Sequence, residues 1–301
     1  MDKHQQQYYL KDFRIAFLES RGNEFQKLFK ILMEKAYPND FMACRPWGNI
    51  GDRKNDGYLP SKRMLFQVYA PNKMKASEAI QKINEDFEGA KKHWKQYFDH
   101  WIFVHNAIDG LSPPIIERLL ELKQENPEFK VGHWGYEGLR IEFLQLNLQT
   151  LETWFGMAID TQSAVFLGYT ELEAVLQHIN LSPFDKNPNV REVSQGKIEA
   201  NLLSPEVAEF LKIGMMKYQL VKDFFKRWRN PKYETQIALT FNDKYSEFKE
   251  QEPPLHPDLI FARLEEWAGG TLTKTPKEKA ALLAILAYLF EQCEIFEDAQ
   301  A

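Results

Sequence analysis

A carboxylate and a carboxamide stand on two neighbouring segments of this chain in a spacing that could bind a cation. Gly51-Asp52-Arg53-Lys54-Asn55-Asp56-Gly57-Tyr58-Leu59 is followed, after a turn, by Phe66-Gln67-Val68-Tyr69-Ala70-Pro71. The spacing predicts a hairpin in which Asp56 opens one strand, beside a glycine that admits close approach of backbone or solvent, and Gln67 sits in the middle of the next. Gln67 and Tyr69 share a face because side chains alternate along a strand. A glutamine on an otherwise apolar strand must find partners, because burial without them is costly. An acidic group and an amide facing each other across two strands can hold a hard divalent cation such as Mg²⁺, which takes oxygen ligands and keeps several waters. Glu24 adds a second carboxylate. It lies four residues before Leu28 on the first apolar helix and is expected to point inward at that helix's amino-terminal end, where the macrodipole favours an anion.

The charge around these groups is inverted relative to the chain as a whole. The 301 residues carry a formal net charge of -5. Residues 1–150 hold 22 basic and 20 acidic side chains, and residues 151–301 hold 16 and 23. Between Arg45 and Lys75, seven basic residues (Arg45, Arg53, Lys54, Lys62, Arg63, Lys73 and Lys75) face only Asp52 and Asp56. Carboxylates set in such a surplus suit a site that binds a metal and a phosphate backbone together. Asp52 is expected to order the loop.

The elements that must position these groups are legible from periodicity. Phe25, Leu28, Phe29, Leu32, Met33 and Ala36 form a helical stripe, with Asn23 and Gln26 spaced as a capping box. Short strand-like runs follow at 42–45, 57–59 and 64–70, then a helix with Ile80, Ile83, Phe87, Ala90 and Trp94 on one face. A strand at 101–104, a helix at 115–122, a strand at 129–134 and a long helix at about 136–154 complete a compact α/β domain. Beyond it, helices are expected at 171–179, 205–228, 234–249 and 277–294, separated by Pro- and Asn-rich turns. The most apolar run, 280–290, reads as a buried helix, and no stretch reaches the ~20 apolar residues of a membrane span. Two cysteines, Cys44 and Cys293, lie far apart with no zinc-like spacing. With no signal peptide, the expectation is a cytoplasmic protein with a mixed-sheet domain at 1–155 and a mainly helical domain at 156–301.

Other constellations are weaker. His105 and His133 each follow an apolar run and could line the same cleft, though a hydrogen-bonded structural role suits each as well. The Lys91-Lys92-His93-Trp94-Lys95 run reads as a solvated helix face, and Phe224, Phe225 and Trp228 as core or subunit interface. There is no Ser/His/Asp arrangement or phosphate-binding P-loop, and Gly132-x-x-Gly135-x-x-Gly138 lacks dinucleotide-binding spacing.

Gly51-Asp52-x-x-x-Asp56-Gly57, then Phe66-Gln67-Val68, preceded by a helix carrying Glu24, resembles the PD-(D/E)xK restriction-endonuclease-like superfamily in its Mrr-like form. The resemblance implies a domain with a mixed central sheet flanked by helices and a phosphodiesterase dependent on Mg²⁺ or Mn²⁺. Asp56, Gln67 and the Val68 carbonyl would ligate the metal, and Glu24 would act through a water. Tyr69 stands where that family carries its catalytic lysine, and a neutral phenol does not supply a positive charge. Lys73 is the nearest downstream replacement, with Lys75 and Lys62 behind it. Arg45, Arg53, Lys54, Lys62, Arg63 and Lys75 would contact double-stranded DNA.

A second resemblance lies in the other half. Val193-x-x-Gly196-Lys197-Ile198-x-x-Asn201-Leu202 and the segment from Leu286 to Glu297 are similar to the C-terminal domain of effector subunits in ABC-three-component bacterial defence systems, of the Lamassu type. This implies an SMC-like ABC ATPase partner, a small middle subunit, and an effector that is silent until it is released and self-associates. The sequence therefore leads to a metal-dependent DNA endonuclease serving anti-phage defence. The alternative, motivated by Tyr69, is an inactive nuclease fold that binds DNA or scaffolds a complex.

Overall fold

The structure, a computed structural model, describes residues 1–44, 55–179, 197–269, 275–292 and 295–297. Asp52, Arg45, Arg53, Lys54, Cys293 and the 193–196 part of the second motif lie outside the described residues. The chain forms two compact units, one of residues 16–150 and one of residues 1–15 with 151–301. The first fifteen residues thus belong with the second half of the chain, whereas the sequence pattern groups them with the first. No helix among the described residues is long and apolar enough to cross a membrane.

The unit of residues 16–150 is mixed α/β. Helix α1 (Lys3–Glu19) leads into α2 (Gly22–Ala36), followed by β1 (Met42–Ala43), β2 (Gly57–Leu59) and β3 (Met64–Tyr69). Next come α3 (Ala76–Trp94), β4 (His100–His105), α4 (Pro113–Glu125), β5 (Lys130–Trp134), α5 (Tyr136–Phe143) and α6 (Leu148–Phe155). The five strands lie in the order β1-β2-β3-β4-β5. Pairing is antiparallel from β1 to β3 and parallel from β3 to β5. The parallel part requires helical crossovers, which α3 and α4 supply.

Because residues two apart share a face, the register sorts the side chains. Leu65, Trp101 and Phe103 line one face and pack with Ala79, Ile83 and Phe87 of α3 and Ile115, Leu119 and Leu122 of α4. Phe66 lies on the other face, with its ring 5.3 Å from Phe29 of α2 and 5.0 Å from Trp134. Covered on both sides, β3 and β4 read as continuous apolar runs, as buried parallel strands do. Against that background Gln67 is conspicuous.

The described elements of the other unit beyond α6 are all helical: α7 (Thr161–Val165), α8 (Tyr169–Leu176), α9 (Lys197–Ala200), α10 (Pro205–Met215), α11 (Tyr218–Arg227), α12 (Tyr233–Lys249), α13 (Pro257–Gly269) and α14 (Pro276–Glu291). Helix α14 is the hub. Every residue from Ala280 to Phe290 is buried, and α7, α8, α10, α11 and α13 all contact it. A helix apolar all round must be enclosed in this way. Gly214 lets α10 approach closely, since a Cβ there would lie 2.5 Å from the Leu283 carbonyl oxygen. The Lys197/Asn201 motif fastens the chain end. Buried Lys197 donates from Nζ to the Phe290 carbonyl at 2.8 Å, while Asn201 donates to the Glu297 carbonyl at 2.6 Å and accepts from the Glu297 N–H at 2.8 Å.

Candidate functional site

The site is built on the β2–β3 hairpin. Gly57 pairs with Phe66, and one residue earlier Asp56 prolongs the ladder in two ways. Its N–H donates to the Phe66 carbonyl at 3.0 Å, and its Oδ2 accepts from the Val68 N–H at 2.7 Å. A side-chain oxygen thus serves a strand N–H that a neighbouring backbone carbonyl would ordinarily serve, and the charge on the carboxylate strengthens the bond. The carboxylate is thereby fixed near the carboxyl-terminal end of β3. Gly57 is required by space: a Cβ there would sit 2.4 Å from Cζ of Phe41.

Gln67 is 2% exposed. It shares a face with Leu65 and Tyr69, stands opposite Phe103 on β4, and its Oε1 has no hydrogen-bond partner. Asn55, the residue before Asp56, is fully buried, and neither its Oδ1 nor its Nδ2 is partnered. An unsatisfied buried polar group costs about 1–3 kcal/mol. Two such side chains flanking one anchored carboxylate are therefore a costly arrangement for an ordinary hairpin. They fit a hard cation, whose ligands are oxygens: Asp56 and Gln67 would hold it, with Asn55 beside them. No group of three or more His, Cys, Asp or Glu side chains suited to a metal occurs among the described residues; a cation held by Asp56 and Gln67 would meet one carboxylate and one amide oxygen there. Asn55 is absent from the sequence expectations because it occupies a variable position of the motif and only its burial singles it out.

Glu24 does not point inward. Its side chain is 73% exposed and lies 3.7 Å from Lys27. The reason is angular: Glu24 stands roughly 100° around the helix from Phe25, at the margin of the apolar stripe. The capping box expected at Asn23 is also not formed, since α2 begins at Gly22 with Arg21 as N-cap and no side-chain cap bond. Gly22 takes φ +49, a left-handed conformation suited to glycine, and its N–H donates to the Ala70 carbonyl at 2.6 Å. That bond brings the first turn of α2, and with it Glu24, to the end of β3 where Asp56 and Gln67 stand.

Tyr69 is half-buried, its ring 6.0 Å from that of Phe103. Desolvation pushes its phenol pKa up, so it remains neutral. Lys73 is exposed in the turn between β3 and α3. The other expected cations within the described residues are engaged. Lys75 pairs with Glu78 at 2.7 Å. Lys62 donates to the Tyr37 hydroxyl at 2.7 Å. Arg63 grips both oxygens of Asp99, at 2.7 and 3.2 Å.

The two histidines meet. Nε2 of His105 lies 3.2 Å from Nδ1 of His133, and Nδ1 of His105 accepts from the Ala107 N–H at 3.3 Å. The second bond makes Nδ1 an acceptor, which assigns the proton of the neutral ring to Nε2 and makes His105 the donor to His133. His105 is 1% exposed. Burial, followed by the nearby His133, lowers its pKa to about 3.

Residues 170–297 match the family model of C-terminal domain 10 of the ABC-three component (ABC-3C) systems, which supports membership of the chain in such a system. No curated protein and no solved structure matches the chain.

Proposed function

We propose that the chain is the effector of an ABC-three-component defence complex and cleaves DNA through a divalent cation held by Asp56 and Gln67. The observation that carries this reading is the unpartnered Oε1 of buried Gln67 beside the anchored Asp56 carboxylate. The succession α2, β1, β2, β3, α3, β4 around that hairpin agrees with the PD-(D/E)xK resemblance, and the domain match agrees with the defence context. A bound Mg²⁺ or Mn²⁺ supplies charge neutralisation at the scissile phosphate and lowers the pKa of water. The chain's own contribution is to fix the donors: the Val68 N–H holds the Asp56 carboxylate, and the strand holds Gln67 in a dry position where it costs no reorganisation. In this reading Lys73 supplies the positive charge that Tyr69 lacks, and duplex DNA, an SMC-like ATPase and a small middle subunit are the partners. Self-association after release switches the effector on.

A second reading, an inactive nuclease fold that binds DNA or scaffolds the complex, is favoured by Tyr69 packed on Phe103 at the lysine position. Incubating supercoiled plasmid with the chain and Mg²⁺, with and without its partner subunits, separates the two. Cleavage that is lost in Asp56→Asn supports the enzyme. DNA bound but uncut in every assembly state supports the scaffold. Lys73→Ala is expected to lower the rate by at least ~100-fold; an unchanged rate removes Lys73 from the mechanism.

A further inference from the structure

The helical unit carries the acidic excess, yet its basic residues are concentrated. Residues 212–232 hold seven of the sixteen basic side chains found between 151 and 301, and one of the twenty-three acidic ones. This segment runs from the last turn of α10 through α11 into the turn before α12. Lys226, Arg227, Arg229 and Lys232 are exposed. Lys212, at the start of the segment, pairs with Glu209 at 2.5 Å, as Lys244 does with Glu247 and Arg263 with Glu266 elsewhere in the unit. Further along, Lys222 lies 5.5 Å over the Tyr218 ring and Arg227 lies 5.4 Å over the Tyr169 ring. Aromatic faces orient a cation without cancelling its charge. Trp228 has ring centroids 5.0 Å from both Phe224 and Tyr233, which fixes the backbone that carries Arg227 and Arg229.

The surface composition selects the ligand. Complementation of the helix dipole accounts for Lys226 and Arg227 in the last turn of α11, but not for Lys222, Arg229 and Lys232. A protein interface needs an apolar core and is depleted in lysine. Phe224, Phe225 and Tyr233 are 5%, 4% and 9% exposed, half-buried Trp228 is packed on Phe224 and Tyr233, and the exposed large apolar side chain of the segment, Met216, lies before α11, away from the 226–232 cations. Four of the six exposed residues between 226 and 232 are basic and none is acidic, a strongly positive surface such as nucleic-acid contacts use. Lys222 and Lys226 are separated by a helical rise of about 6 Å.

We propose that the α11–α12 corner of the helical unit binds the phosphate backbone of nucleic acid without reading sequence. This places a nucleic-acid contact in the half of the chain that carries the acidic excess, and it does not depend on the chemistry of the hairpin. The test is fluorescence anisotropy of a short DNA duplex titrated with the full chain over a salt series, with EDTA present so that no cation-dependent cleavage occurs. Wild type is expected to bind with log K falling linearly in log salt. The Lys226→Gln/Arg229→Gln/Lys232→Gln variant should lose about 0.9 of slope per phosphate contact removed and bind on the order of 10-fold more weakly near 0.1 M salt. The substituted side chains are exposed, so thermal unfolding should be unchanged, and Arg263→Gln/Lys277→Gln should bind like wild type. Equal slope and affinity in the triple variant overturns the proposal. So does loss of partner subunits from the triple variant with duplex binding intact, which would reassign the corner to an acidic protein. The hairpin reading is tested separately, by cleavage in Mg²⁺ without EDTA, so its failure leaves a different signature from failure of the corner to bind.

Discussion

Asp56 serves the ladder, and in the proposed function it has a second, separable duty in chemistry. Asparagine can still accept the Val68 N–H, so Asp56→Asn should unfold in denaturant much as wild type does, while Asp56→Ala should lose about 1.5–3 kcal/mol for the missing charge-assisted bond; both should be inactive. Gln67 carries the opposite signature. Its Oε1 is unpartnered, so replacing the amide with leucine removes a desolvation cost, and Gln67→Leu should match or exceed wild-type stability by about 1 kcal/mol while abolishing cleavage. A destabilised Gln67→Leu would mean that the amide serves structure. His105 ties stability to pH. Its folded pKa of about 3 lies below the unfolded value near 6.5, so the unfolded chain binds the extra proton between those values. Its contribution is fully present above the unfolded pKa and is lost as pH falls toward 3, with a slope of up to about 1.4 kcal/mol per pH unit. Urea melts from pH 7 to 4 should show this slope and show it reduced in His105→Asn.

At the scale of elements, what the sequence made legible follows from how far each element is dictated locally. The α2 stripe, the hairpin, the β4 and β5 runs and the wholly apolar α14 each announce themselves by period or by unbroken hydrophobicity. Helix α1 does not: its segment Lys-His-Gln-Gln-Gln-Tyr-Tyr-Leu-Lys is polar in composition, and it is held by tertiary partners such as Arg14 on Asp258 at 2.6 Å and Lys11 on Glu265 at 2.6 Å. The expected helix at 136–154 breaks into α5 and α6 without Gly or Pro, because Asn147 accepts the Thr150 N–H at 2.9 Å and starts a new helix. The expected helix at 205–228 likewise divides at Met216 and Lys217. At the candidate site, residue types and spacing singled out Asp56 and Gln67, but the outward turn of Glu24 and the buried state of Asn55 depend on packing that no short motif encodes. Helix α14 offers a local test. Thr275 and Glu278 form a reciprocal capping box, so Thr275→Ala should cost about 1 kcal/mol in chemical denaturation, and an unchanged midpoint would show that packing alone sets the start of this helix.

At the scale of the whole molecule, the net charge of -5 is an average over unlike surfaces. A positive patch in the sequence around Asp56, an acidic helical half and a basic corner within that half give the chain several electrostatic characters, suited to a protein that meets both nucleic acid and other subunits. In the proposed function partner subunits would mask cleavage, whereas cation binding by the full chain is read directly. Mn²⁺ titration followed by loss of the free-ion electron paramagnetic resonance signal should show a bound ion in wild type, and affinity lowered at least ~10-fold in both Asp56→Asn and Gln67→Leu. Equal Mn²⁺ binding by wild type and both variants would contradict the assignment of the β2–β3 hairpin as the metal site.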